Sequence, residues 1–416
     1  MKRCWRGFIF AGLVLGFTLQ ARVQAQPVPA DLPNAEQARA AIDQDPAVVQ
    51  ARRAVEAAVH GSAMRAAGPY EWTVGASAQR RRVNSNGSGT EWSAQVERSI
   101  RIGGKAALDR DLGEAGLRQA RAELGAARQR AARSLLDQWL DWLAARQARV
   151  TLVQQLGFAE AGVTAVQTRR RAGDASLLDV NVAQGELAEL RRQLSQATAA
   201  EAKAQAALRV RYPQLPQVDP ALSDPVALEL DEAQWRERIV AASARLQAAR
   251  EALRKAGLTA DRAGADRRPD PTVGVYTASE GSGSERVLGL SLSIPLGGRY
   301  REQAMLEALR QVDVARAGVD REQRDLEVEV ATAVAEASGS LERWRLSEQS
   351  AAGAADALRL TQRAYSLGEA DLQTLLLVSR QSLAGVSAAA AARADALRTR
   401  YRLLVDAGLI WGLADE

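Results

Sequence analysis

Four short segments of the chain alternate apolar and polar residues, which is the pattern of β-strands with one apolar face. They form two pairs, each separated by a loop rich in small polar residues. We therefore expect β-hairpins at 71–100 and 272–294. The residues expected on one face are Trp72, Val74, Ala76 and Ala78; Trp92, Ala94, Val96 and Ile100; Val273, Val275 and Thr277; and Leu288, Leu290, Leu292 and Ile294.

Each strand is about 9 residues long, which is enough to cross a bilayer at a tilt. A small soluble sheet attached to a helical protein fits the same pattern equally well.

Long helical runs without proline follow both hairpins, at 105–172 and 300–367. Each has roughly 68 residues and would be about 100 Å long at 1.5 Å per residue. Helices of that length need neighbours throughout. Shorter helices fit end to end beside the long ones, at 34–67 and 175–211 in the first half and at 231–266 and 369–413 in the second. Within the first, Asn34 is the expected N-cap and Pro46 predicts a break after Asp45.

The two halves repeat one another. Ser99-Ile-Arg-Ile-Gly-Gly-Lys105 in the first half corresponds to Ser293-Ile-Pro-Leu-Gly-Gly-Arg299 in the second. Both long runs close on a glycine, Gly173 or Gly368, which suits a helix-reversal turn. We predict repeats at 26–211 and 231–416, joined by a connector at 212–230.

Residues 1–25 have the pattern of a secretory signal. Three basic residues precede an apolar run from Gly7 to Leu19, and cleavage is expected near Ala25. An uncleaved anchor is the alternative. Cys4, the single cysteine, would leave with the signal, so the mature chain is not lipidated. No later run of 18 consecutive apolar residues is present, so a membrane role would need strands.

Composition argues against several classes of function. Aromatic residues make up only 4% of the chain, as in long packed helices. The net charge is +5, but much of it comes from residues 1–25, which contain basic residues and no acidic ones. The chain has no basic stripe that would indicate nucleic-acid binding. His60 is the single histidine and has no partner at metal-ligand spacing. Asp137 and Asp141 are one helical turn apart, which favours a solvated face over an acid–base pair. We expect no enzyme activity, cofactor or metal site.

Several motifs carry a resemblance to a known family. They are Ser-Ile-Pro-Leu-Gly-Gly-Arg after a strand, Arg-Arg-Pro-Asp-Pro-Thr-Val-Gly-Val-Tyr before it, Gly-Asp-Ala-Ser-Leu-Leu-Asp-Val after the first long helix, and Asp-Pro at 45–46. With the duplicated organisation, nearly all of the mature chain resembles the TolC-like outer-membrane efflux factors. Arg-Pro-Asp-Pro-Thr with Pro-Leu-Gly-Gly-Arg leans towards the CzcC-like branch, which serves metal-ion efflux pumps.

The resemblance implies a mainly α fold with a small β part. Three chains would form a 12-stranded outer-membrane β-barrel, continued by a periplasmic α-helical barrel. The homotrimer would span outer-membrane lipid and work with a periplasmic adaptor and an inner-membrane pump of the resistance–nodulation–division type. It would passively conduct substrate, with divalent metal cations as the favoured cargo.

The resemblance also assigns roles to the two glycine turns. Gly173 and Gly368, with Ala172 and Leu367, would form the periplasmic tip that contacts the adaptor. The candidates for a gate or constriction are Asp174, Asp179, Tyr365, Glu369 and Asp371. Ala370 and Thr374 replace an arginine and an aspartate of the usual closing network. Asp174, Glu369 and Asp371 would form an acidic ring that selects cations, or they are solvated helix-end charges.

Two other functions remain open at this stage. The same fold serves as the exit duct of type I protein secretion systems, and the residues of a passive duct are compatible with metal, drug or protein cargo. A soluble periplasmic coiled-coil scaffold would use the helices, but it would leave the hairpins unexplained.

Overall fold

A computed structural model describes residues 28–83, 87–215 and 220–412. The expected signal peptide at 1–25 lies outside the described residues. The described residues form eight α-helices, one short 3₁₀ turn and four strands. The bounds are α1 (Ala35–Asp43), α2 (Pro46–Ala67), β1 (Thr73–Val83), β2 (Gly87–Ser99), α3 (Lys105–Arg171), α4 (Leu177–Arg211), α5 (Glu232–Ala242), α6 (Ala244–Ala265), β3 (Thr272–Glu280), β4 (Glu285–Ser293), α7 (Arg299–Leu367) and α8 (Leu372–Asp406).

The four strands form one antiparallel sheet in the order β1-β2-β3-β4. The middle pair joins the two hairpins, so the sheet is shared by both halves of the chain. Val74, Val96, Val275 and Leu290 lie side by side in one cross-strand row. Because side chains alternate between faces, the predicted apolar residues within the four strands share one face. Trp72, Ile100 and Ile294 lie one residue outside the observed strand ends.

The helices continue the sheet in the same lateral order. Helix α2 leads into β1, β2 into α3, α6 into β3 and β4 into α7, and these helices pack in the order α2-α3-α6-α7. Further from the sheet, α4 takes the place of α2 beside α3, and α8 takes the place of α6 between α3 and α7. Each long helix thus lies beside two shorter ones stacked end to end, as the helix lengths predicted.

The observed helix ends agree with local signals in the sequence. Helix α3 ends one residue before the expected position and α7 starts one residue earlier than expected. The side chain of Asn34 caps α1 by accepting a hydrogen bond from Gln37 N at 2.9 Å. The break at Pro46 is confirmed, with Asp45 as the N-cap of α2.

Two helices differ from the prediction. The run at 231–266 is broken at Ser243, whose extended backbone ends α5 and whose hydroxyl caps α6. The last helix ends at Asp406 rather than near 413, because Gly408 adopts a left-handed φ of 66°. The chain then turns back, and Trp411 Nε1 donates to Pro33 O at 3.0 Å.

The main core lies midway along the long helices and covers one face of the helix layer. Asp31, fully buried, accepts a hydrogen bond from Tyr401 Oη at 2.8 Å and another from Ser223 N at 3.0 Å. Trp139 Nε1 donates to Asp31 O at 2.7 Å. The N-terminal segment, the connector and the C-terminal helix are thereby tied to α3, so this core contains residues from both halves of the chain.

Helix α8 is long and apolar enough to cross a membrane by length and composition. The prediction from consecutive apolar residues missed this, because scattered serines and arginines interrupt its Ala- and Leu-rich run. The structure packs α8 against α7 and α3 within the helix layer.

Candidate functional site

The two predicted glycine turns have the same backbone geometry. Gly173 and Gly368 adopt left-handed φ angles of 84° and 79°. After α3, Asp174 N donates to Arg169 O at 2.8 Å and Gly173 N to Arg170 O at 3.0 Å. The second turn repeats both bonds, from Glu369 N to Ala364 O and from Gly368 N to Tyr365 O. This pair of bonds is the Schellman motif, which satisfies terminal carbonyls and requires a residue that tolerates positive φ.

Two of the gate candidates, Asp179 and Asp371, take part in capping the return helices. Asp179 Oδ2 accepts hydrogen bonds from the Ser176 backbone and hydroxyl, both at 2.8 Å, in a capping box at the start of α4. Asp371 Oδ1 accepts from Thr374 N at 2.7 Å at the start of α8. The backbone hydrogen bonds, from Ser176 and from Thr374, are the main cause that holds the pKa of each carboxyl below its ordinary value. Both carboxylates are therefore anions that hydrogen-bond to backbone N–H groups at the N-terminal ends of the return helices.

Two further candidates, Asp174 and Tyr365, are joined by an arginine that sequence reasoning missed. Arg169 Nε donates to Asp174 Oδ2 at 2.8 Å, and its guanidinium lies 4.9 Å from the centre of the Tyr365 ring. The contact links the first turn to the second. A sequence signal existed in the run Arg169-Arg170-Arg171 directly before the turn, but nothing local indicated that Tyr365 would lie beside it.

A second link joins the return helices. Arg380 Nε on α8 donates to Glu186 Oε2 on α4 at 2.6 Å, and the Glu186 side chain is only 10% exposed. Between the two polar links lies an apolar cluster made of Val163, Val166, Val180, Ala183, Leu187 and Leu372, with Tyr365 packed against it. The turns of both halves therefore form one end of a four-helix unit. We call this end the tip.

The remaining candidates lie on the outside of the tip. Ala172, Gly173, Gly368 and Glu369 are exposed, and Leu367 is 58% exposed. Of the three carboxylates of the predicted acidic ring, Asp174 is ion-paired and Asp371 is a cap. Among the described residues, only Glu369 of the three has no side-chain partner. The acidic ring stays a prediction.

A second functional surface is the apolar face of the sheet. Val74 is 74% exposed and Leu290 is 84% exposed, although both belong to the apolar row described above. The opposite face is polar, with Ser77 Oγ hydrogen-bonded to Ser93 Oγ at 2.9 Å and Gln79 Nε2 donating to Glu91. A contiguous exposed apolar patch is typical of a protein or lipid interface.

The sheet and the helix layer are both open at their edges. Within residues 28–83, 87–215 and 220–412, β1 and β4 each pair on one side only. Helix α7 follows β4 and carries two apolar stripes. Leu326, Val330, Ala337 and Ala351 are buried, whereas Val314, Val328, Leu346 and Leu360 are all at least 56% exposed. At about 100° per residue the two sets lie on opposite sides of the helix, so α7 has an apolar face that no other described part of the chain covers.

Among the residues that the structure describes, no group of three or more His, Cys, Asp or Glu is arranged to hold a metal ion.

Comparison with protein-family models and with curated protein sequences finds no match. Solved structures do match. The chain is similar to the outer membrane protein VceC from the bacterial pathogen Vibrio cholerae, with a TM-score of 0.74 and 18% identity, covering 90% of this chain and 95% of that one. A membrane protein from Pseudomonas aeruginosa has a TM-score of 0.74 and 20% identity, with 94% and 92% coverage. The CmeC outer membrane channel of Campylobacter jejuni has a TM-score of 0.69 and 13% identity, with 92% and 87% coverage.

These likenesses extend over almost the whole of each chain, and at such low identity they establish the fold. The chain has the fold of TolC-like outer-membrane channels, which confirms the mainly α fold with a small β part that the sequence resemblance implied.

Proposed function

We propose that this protein is the outer-membrane exit duct of a tripartite efflux system and functions as a homotrimer. The observation that carries the proposal is the exposed apolar face of a sheet with two open edges. In lipid, every backbone N–H and C=O group of a strand must be paired, so an open sheet does not span a bilayer. Three copies joined from β4 to β1 would close a 12-stranded barrel and remove all edges.

The helix layer supports the same closure. The exposed stripe of α7 and the open side of α2 and α4 lie at opposite edges of the layer, on the same sides as β4 and β1. Joining edges in the sheet therefore also joins edges in the helices. The free apolar stripe of α7 then gains a partner along its length, as helices of about 100 Å require.

The face of the helix layer opposite the main core suits the wall of an aqueous duct. There, Arg402 makes two hydrogen bonds to Asp137, at 3.0 and 2.9 Å, and Arg398 binds Asp141 at 2.5 Å. The carboxylates that sequence reasoning assigned to a solvated face are thus ion-paired with α8. A wall of mixed charge stays hydrated and binds no single class of solute strongly.

The tip would meet a periplasmic adaptor, and the adaptor would connect the duct to an inner-membrane pump of the resistance–nodulation–division type. Gly173, Gly368, Ala172 and Leu367 are the proposed contact, since the turns expose apolar side chains at the end furthest from the sheet. Divalent metal cations are the cargo that the resemblance to the CzcC-like branch favours. Protein export by a type I system is the alternative cargo for the same architecture.

The proposal is tested by the location and size of the mature protein. We expect it in the outer-membrane fraction, as a trimer that survives mild detergent without boiling and dissociates on heating. Three copies of a chain slightly below the 44.6 kDa precursor give about 120–130 kDa. A soluble, elongated monomer or dimer released by osmotic shock would refute the duct and favour the scaffold.

The link between α4 and α8 is expected to hold the tip closed. Replacing Arg380 by glutamine removes an ion pair between the two return helices in each of three copies. At about 0.5 kcal/mol for a partly exposed pair, three copies shift the closed-to-open ratio roughly tenfold. The measurement is the open probability of purified trimers in planar bilayers.

The matched control for this variant is Arg359→Gln, which removes the pair between Arg359 and Asp356 within α7. Both partners of that pair are exposed and belong to one helix, so the open probability should not change. Equal open probability in both variants would mean that the link between Arg380 and Glu186 does not restrain the tip.

A further inference from the structure

We propose that three arginines on the outward face of the sheet, Arg80, Arg82 and Arg286, bind the phosphate groups of lipids in the outer leaflet. The proposal rests on the proposed function, because it requires the apolar face of the sheet to lie in a bilayer. We call these three residues the arginine rim.

The strand register places the rim directly beyond the apolar band. Arg286 shares a cross-strand row with Ala78, Trp92 and Ser279, next to the row that contains Leu288. Arg80 and Arg82 lie two and four residues beyond Ala78 on the same strand, and therefore on the same face. All helices join the sheet at its other end, so the rim lies at the end that faces the exterior of the cell.

Charge is divided between the two faces at this end of the sheet. Glu91, Glu280 and Glu285 occupy alternate positions and therefore face inward, and Glu91 is almost completely buried. Arg81 also faces inward, and its Nε lies 3.3 Å from Glu91 Oε2. The inward arginine is thus neutralised within the protein.

Among the residues that the structure describes, the outward arginines have no acidic partner. Arg80 donates only to the Ser88 hydroxyl, at 3.1 Å. For Arg82 and Arg286, the described part of the chain contains no ion pair or side-chain hydrogen bond, and both side chains are exposed. An ordinary solvated surface would carry mixed charge on both faces. Here the positive charge is outward, where an anionic membrane surface would lie.

Closure of the ring would bring the three residues together. Strands β1 and β4 are the two edges of the sheet, so Arg286 of one copy would lie on the strand next to Arg80 and Arg82 of another. Guanidinium groups bind phosphate oxygens through paired hydrogen bonds and are weakly hydrated, which favours contact with headgroup phosphates. Each of the three junctions would then hold one phosphorylated headgroup, and the isolated chain would hold none.

The test measures binding of bisphosphorylated lipid A to purified trimers in mild detergent, by native mass spectrometry and by the temperature at which the trimer dissociates. The variant is Arg82→Gln with Arg286→Gln, which leaves the hydrogen bond of Arg80 intact. We expect its affinity for the lipid to fall about tenfold or more, since each arginine near an anionic surface contributes severalfold. The same lipid without phosphates should bind wild type and variant equally weakly.

Arg310→Gln is the control variant, because Arg310 is also exposed but lies on α7, away from the sheet. It should bind lipid A as the wild type does. Equal affinity of the wild type and the double variant would overturn the proposal. Competition by inorganic phosphate at concentrations comparable to the lipid would also overturn it, because a free-anion site would then be present.

Failure of this inference is distinguishable from failure of the duct. A trimer in the outer membrane that binds lipid A without using the rim refutes only the rim. If the double variant does not assemble, the single variants Arg82→Gln and Arg286→Gln are measured instead, and a roughly severalfold loss is expected for each.

Discussion

Replacing Leu290 by arginine is expected to remove most of the trimer from the outer membrane. Leu290 is 84% exposed in the chain and lies in the middle of the apolar band, in one row with Val74, Val96 and Val275. An arginine on the lipid face of a barrel near the bilayer centre costs about 2–4 kcal/mol. A trimer contains three such positions, so assembly should fall well over tenfold.

The measurement is the amount of heat-sensitive trimer in the outer-membrane fraction, relative to the total amount of the protein. Gln95→Arg is the matched control. Gln95 is adjacent to Val96, which shares the row of Leu290, but its side chain is on the opposite, polar face. An arginine there would face the aqueous interior and should leave assembly close to wild type.

Equal assembly of the two variants would show that the apolar face does not contact lipid. The sheet would then be a soluble appendage, and the scaffold interpretation would account better for the chain. Loss of assembly in both variants would instead indicate that neither face tolerates a charge.

Replacing both Gly173 and Gly368 by valine is expected to disable the tip while leaving the trimer intact. An L-residue in the left-handed conformation costs about 1–2 kcal/mol, and a β-branched one is a stronger outlier. The trimer has six such turns, and each would lose its Schellman geometry or shift its return helix. The sheet and the main core are far from the turns, so membrane assembly should persist.

This prediction is checked by channel conductance in planar bilayers and by efflux of the pump's substrate from cells, with the trimer band as the measure of assembly. Asparagine at the same two positions is the conservative control, since asparagine tolerates positive φ. Gly157→Val is the positional control. Gly157 is inside α3, and an added Cβ would meet nothing within 4 Å there. Unchanged conductance and efflux in the double valine variant would count against the assignment of the tip.

Features of the fold that depend on local sequence were predictable. Alternation with period two identified all four strands, because a strand alternates its side chains between faces in any tertiary setting. The absence of proline and the presence of Gly173 and Gly368 located the long helices to within one residue. The predicted end of the last helix was wrong by about seven residues. Apolar residues such as Ile410 and Trp411 are compatible with a helix and with a buried turn, so the sequence did not distinguish the two.

The contacts of the tip were not predictable in the same way. Glu186 and Arg380 are 194 positions apart, and Arg169 and Tyr365 belong to different repeats. Charged and aromatic residues are common on helix surfaces, so the sequence provides no sign of which of them meet. The gate role of Asp179 and Asp371 stays a prediction from resemblance; in the structure Asp371 is the N-cap of α8 and Asp179 completes the capping box of α4.

The sequence by itself determined the repeating unit of this protein, a strand pair followed by a long helix, a glycine turn and a return helix, because each part follows from short-range stereochemistry. Tertiary structure alone decided that the two units share one sheet, with β2 paired to β3. That pairing places four apolar strand faces together and leaves β1 and β4 as open edges. The proposed trimer rests on those open edges. Local sequence does not determine them, because hydrogen bonding between strands depends on which segments meet in space.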